Sequence, residues 1–189
     1  MVNLALLVIR LTTGGLMMGH GSQKLFGWFG GHGIEGTTGW LESIELKPGR
    51  LWAWAAALSE FGGGALTTLG LFNPAGPLAM IGSMSMATAK VHWGKPIWVT
   101  SGGAELPLTN TALATALMLA GPGDYSLDAL LGTRLPRWVA IPGLAAVIAG
   151  IILGSQPDLA QRLAAPLQPS EQTPTSETTE AERHLNASA

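Results

Sequence analysis

Five apolar runs divide the chain, and their lengths set its class. They are Val2 to Met18, extending to about Gly21; Leu51 to Phe72; Pro77 to about His92; Ala104 to Ala120; and Trp138 to Gly154. A helix needs roughly 20 residues to cross about 30 Å of hydrocarbon. Each run is about that long and few charges interrupt it. The pattern predicts an all-α, polytopic membrane protein. Residues 1–132 form a four-helix transmembrane bundle, 133–154 add a fifth transmembrane helix, and 155–189 are a disordered polar tail. The tail is rich in Pro, Gln, Ser, Thr, Glu and Ala, which cannot bury a core.

The connections are short. The longest, 22–50, holds a Gly-rich stretch from Gly27 to Gly39 and then Trp40 to Leu46. That heptapeptide is expected to lie as a short amphipathic helix at the interface, ended by Lys47-Pro48-Gly49. Asn73-Pro74 marks a tight turn, so the second and third membrane helices are antiparallel neighbours. The first run is read as retained rather than as a cleaved signal. It lacks a basic leader, carries Arg10 in its middle and precedes no small-x-small site. No internal repeat is visible.

Composition sharpens the picture. Of 189 residues, 47% are hydrophobic and 12% charged, against about 25% charged in soluble domains. Mean hydropathy is +0.32. The 26 glycines and 12 prolines would argue against helices in water, but both are tolerated in a bilayer. No basic patch is interleaved with aromatics, so nucleic acid is not expected as a partner. Cysteine is absent, which excludes disulfides, thiolate catalysis by this chain and thiolate ligation of iron–sulfur clusters.

Ionisable groups within the runs are the candidate chemistry, because each costs several kcal/mol at depth unless paired or wet. Arg10 lies about 11 residues, or about 16 Å, from the expected end of the first helix. Glu60 lies about 9 residues, or about 14 Å, into the second. The two are expected to form an ion pair, direct or water-bridged, which serves function, helix registration, or both. Nearer the same membrane face, His20, Lys24, Lys90, His92 and Glu105 are expected to converge as a polar vestibule. Asn73, Asp124, Asp128, Arg134 and Arg137 mark the opposite face. Snorkelling interfacial side chains would give the same pattern. Axial haem ligation by His20 and His92, or a metal site of His20, His92 and Glu105, is geometrically open but has no supporting motif. Gly15 and Gly19 form a G-x-x-x-G step for packing, and Gly62 to Gly64 would bring a helix close beside Glu60. The distribution of Lys and Arg places the vestibule and the tail in the cytoplasm and the N-terminus outside.

These residues resemble the DoxX family of membrane proteins. The resemblance rests on Arg10-Leu11, Gly15, His20 to Leu25, Glu60 to Gly64, His92, Gly103-Ala104-Glu105 and Gly121 to Asp128, in that order over residues 4 to 132. It implies a four-helix core, with the fifth helix, the tail and Trp93 to Thr100 as additions. It also implies a bacterial or archaeal plasma-membrane location and a subunit of a quinone-linked redox complex. The related DoxD proteins are associated with a thiosulfate:quinone oxidoreductase in which a partner subunit contributes. The residues themselves offer no flavin motif or haem pair, so whether the chain is an enzyme stays open. A quinone head-group contact at His20, Lys24 or Glu60 is chemically reasonable. Two alternatives stand beside it: a non-catalytic scaffold for a membrane oxidoreductase partner, and a small-solute or lipid carrier, for which no inverted repeat is found.

Overall fold

The computed structural model describes residues 1–133 and 135–165. Among these, eight α-helices follow in order, joined by short turns. They are α1 (Val2–Phe26), α2 (Gly33–Ser43), α3 (Gly49–Leu69), α4 (Ala75–Ala87), α5 (Glu105–Ala120), α6 (Leu127–Leu131), α7 (Ala140–Ser155) and α8 (Pro157–Ala164). A π-helical turn, Thr88–His92, continues α4. The all-α expectation holds. Four long helices pack in the order α1, α3, α4, α5, with a lighter contact from α5 back to α1. α7 lies along the outside of α4, and α2 lies across α1 and α3.

Glycine sets the closest approach. A methyl group at Gly14 would stand 2.7 Å from the Gly64 carbonyl oxygen, and one at Gly64 would stand 2.6 Å from the Gly14 carbonyl oxygen. Gly21 meets the Phe61 backbone in the same way. Gly15 and Gly19, expected to make this step, have nothing within 4 Å of where a side chain would begin. The first helix is rotated from the expected packing face, so that Thr13, Gly14, Met17 and Gly21 point inward. At the next interface, a methyl group at Gly76 would stand 2.7 Å from the Thr67 amide nitrogen, which brings α4 equally close to α3.

The interior is made of small and flexible residues. Ala53, Ala57 and Ala114 are fully buried, while Leu16, Leu119 and Ile141 are 62%, 68% and 72% exposed. The central cluster joins Met17, Met80, Ile81, Met84 and Ala114, with Met118 and Val147 against it. Many large aliphatics face outward, the reverse of a water-soluble core. α7 is the extreme case, apolar on nearly every side and scarcely buried. Among the described residues, two segments meet the requirement for a membrane span by length and composition, Val2–Phe26 and Arg137–Ser155. The expected count of four or five spans is not reached on that measure. α4 and α5 have only 13 and 16 residues, and Trp52, Trp54, Glu60 and its glycines lower the hydropathy of the 21-residue α3.

Two local expectations need correction. The amphipathic helix in the first connection begins at Gly33, well before Trp40, and ends at Ser43. Ile34, Thr37, Thr38 and Leu41 recur at helical spacing, and Ile34, Leu41, Ile44 and Leu46 close over Ala53, Trp52 and Met86. This apolar stripe outweighs the helix-weakening glycines. Within the segment expected to be disordered, Pro157–Ala164 form α8, with Pro157 in its first turn, Asp158 near its start and Arg162 near its end. This is the order that caps a helix and complements its dipole. Residues 166–189 and Arg134 lie outside the described residues.

The glycine contact gives a direct test. Gly14→Ala should cost about 1–3 kcal/mol through overpacking, lowering the midpoint of thermal unfolding in detergent. Gly15→Ala should be neutral, or stabilising by up to about 1 kcal/mol. Equal effects at the two positions would show that the α1–α3 packing described here is wrong.

Candidate functional site

The close α1–α3 approach fixes which charges meet. Lys24 Nζ lies 2.5 Å from Glu60 Oε2, with the carboxylate side chain 6% exposed and the lysine 25%. The expected Arg10–Glu60 pair does not form. The first helix runs to Phe26 rather than Gly21, and Gly14 sits opposite Gly64. With that register, α1 meets Glu60 at Lys24, some 14 residues or about 21 Å beyond Arg10. Arg10 is instead held at the far end of the bundle. Its guanidinium donates to the Pro122 carbonyl, to Tyr125 O at 2.8 Å and to Thr68 O at 3.4 Å.

That far end is a latch of buried polar groups. Asp128 is fully buried. Its carboxylate accepts from the amides of Phe72 at 2.8 Å and Asn73 at 2.9 Å, and from Thr133 Oγ1 at 2.9 Å. Asn3 donates to Asp124 beside it. Arg10 and Asp128 thus clamp the loop after α5 onto the turn between α3 and α4. Arg10 is spent on backbone carbonyls and Asp128 on two backbone amides and the Thr133 hydroxyl, which is a structural use.

At the other end, a cavity of about 600 Å³ opens among α1, α2, α3, α4, α5 and α7. Five of the seven candidate residues line it: His20, Lys24, Glu60, Lys90 and His92. The π-helical turn carries two of them, Lys90 and His92, and such turns recur at functional sites. His92 Nδ1 donates to Gly102 O at 2.7 Å and His20 Nδ1 to Gln23 Oε1 at 3.2 Å. Because both partners are acceptors, each neutral ring keeps Nε2 as an acceptor. Arg10 and Glu105 are not in the lining. Glu105 begins α5 and closes the preceding loop: its Oε2 accepts from Val99 N at 2.8 Å and its own amide donates to Ile97 O at 2.9 Å. The three-residue metal set is therefore not assembled, and no group of three metal-binding side chains occurs among the described residues.

Several lining residues were not anticipated. Asn110 is the clearest, a carboxamide on α5 whose Nδ2 reaches only the weak thioether acceptors Met84 Sδ at 3.8 Å and Met17 Sδ at 4.0 Å. Its signal was available, as a lone amide within an apolar run. The remaining walls are apolar. Trp40, Leu41 and Trp52 stand on one side, and Ala146, Val147 and Gly150 of α7 on another.

Among the described residues, an all-helical fold with many large aliphatics outside, small residues inside and a polar-ended cavity is that of a membrane protein. Residues 5–93 match the DoxX family model. The match spans α1 through the π-helical turn. Glu105, the loop after α5 and α7 lie beyond it. No curated protein and no solved structure matches this chain.

The buried pair responds unequally to mutation. Lys24→Met leaves the nearly inaccessible Glu60 carboxylate without its partner, a loss of about 1–3 kcal/mol. Glu60→Gln leaves a lysine that can turn toward water, and should cost less. Thermal unfolding of both variants checks the order, and a larger loss for Glu60→Gln would count against the pair as described.

Proposed function

We propose that this chain is a multi-span subunit of a quinone-linked redox complex in the cell membrane. In this reading α1, α3, α4 and α5 cross the bilayer as a four-helix core and α7 crosses as a fifth helix. Its cavity receives a quinone head-group. The observation that carries the reading is the cavity itself, apolar along its walls and polar at the end where Lys24, Glu60, His20, Lys90 and His92 meet. An apolar pocket with a few convergent polar groups is the usual form of a small-molecule site. Lysine ammonium groups donate to quinone carbonyls, and the Glu60 carboxylate and the imidazoles exchange the protons that accompany reduction. Electrons come from a partner subunit.

The membrane reading is supported by aromatic residues at both ends of the helices. Trp28, Trp93 and Trp98 are exposed at the cavity end and Trp138 at the other, as in an interfacial belt. Lys24, Lys47, Arg50, Lys90 and Lys95 gather at the cavity end, with Arg137 opposite. The positive-inside rule then turns the cavity mouth to the cytoplasm. A non-catalytic scaffold is the second reading. It is favoured by Arg10, Asp128 and Glu105, which are committed to holding loops.

Purification in mild detergent, followed by mass spectrometry of extracted lipid and of associated polypeptides, separates the two. The redox reading expects bound quinone, reduced roughly tenfold in Glu60→Gln while the fold is retained. A companion polypeptide without quinone, unaffected by Glu60→Gln, would establish the scaffold instead.

A further inference from the structure

α7 lies outside the family-matched residues, yet it supplies one wall of the cavity. The face it turns inward carries Gly143, Ala146, Val147 and Gly150, spaced at one helical stripe, while Leu144, Ile148 and Ile152 face out. Small residues in a stripe normally let helices close on one another. Here they do so on either side of Gly150, at Gly143 and Val147 before it and at Gly154 after it. Gly143 rests on Leu78, and a methyl group at Gly154 would stand 2.7 Å from Met86 Cε. Between these points Gly150 has nothing within 4 Å. α7 is therefore pinned to the bundle above and below a gap, and the gap belongs to the cavity. At about 600 Å³ the space falls in the range that encloses a whole drug-sized molecule, roughly 300–1,000 Å³, and so exceeds what a single ring at the polar end needs.

We infer that the slot at Ala146 and Gly150 is the specificity wall for the apolar tail of an amphiphilic ligand, whose head lies at the Lys24–Glu60 end. The inference rests on the proposed function only in taking the cavity to hold an amphiphile, and does not need the head to be a quinone. The missing side chain at Gly150 is what admits a long tail. The tail lies against α7, and its displacement is felt only by ligands long enough to reach it.

Gly150→Phe tests this well because the open space accepts a side chain and the exchange improves helix propensity. Ala146→Phe, one turn earlier, repeats the test, and Ala149→Phe on the exposed face is the control. The full chain is titrated by native mass spectrometry with two probe pairs: a benzoquinone with a long isoprenoid tail and its tail-less analogue, and a long-chain and a short-chain fatty alcohol. Wild type should prefer the long member of a pair. Gly150→Phe should weaken long-tailed binding roughly tenfold, the equivalent of about two methylenes left unburied. Short probes and Ala149→Phe should be unchanged. Tail discrimination seen with alcohols but no quinone binding would support the slot and remove the quinone reading. Quinone binding that ignores tail length and Gly150→Phe would overturn the slot and leave the quinone reading standing. Binding of none of the four probes would overturn both.

Discussion

The contact between α1 and α3 is the constraint on which the rest depends. With no side chain at Gly14 and Gly64, two helix backbones touch, and touching backbones have only one axial register. That register brings Lys24 to Glu60 and delivers Arg10 to the carbonyls of the 122–125 loop. A slip of one turn, about 5.4 Å, would break both arrangements at once and leave two charges buried without partners. The packing contact and the polar contacts therefore specify the same alignment. Agreement of this kind between levels is what makes a sequence select one structure.

The cavity follows from the same economy of side chains. In a bilayer, burial of large aliphatics gains little, because lipid is as apolar as leucine, and close packing of small residues holds the helices together. The interior is accordingly rich in Ala, Gly and Met, with a few Leu and Ile among them, and many bulky residues face out. Where small residues meet small residues, as at Gly14 and Gly64, the helices close. Where α7 stands off α4 around Gly150, they leave a void. The candidate site is thus a lapse in packing, given chemical character by the two residues that the π-helical turn adds to the Lys24–Glu60 pair and His20.

The two ends of the molecule divide the polar residues by role. Asp128 and Arg10 satisfy backbone groups and fasten loops, so their removal would be felt as lost structure. His20, Lys24, Glu60, Lys90 and His92 border open space. Glu105 shows how sequence position misleads here. It begins α5 at the same end as the cavity, but its carboxylate is taken up by the Val99 amide.

The apolar runs alone determined the class, the order of the main helices and the end at which five of the candidate side chains gather, because a helix climbs a fixed 1.5 Å per residue and hydropathy marks roughly where it starts and stops. Tertiary structure decided which face of each helix turns inward and which charge meets which. Gly14 packs rather than Gly15, Lys24 reaches Glu60 rather than Arg10, and α7 leaves its gap at Gly150. The physical reason is that a helix apolar on most sides carries little periodic signal of its rotation. Rotation and fine register are fixed by backbone contacts between helices far apart in the chain, and those contacts exist only once the bundle has closed.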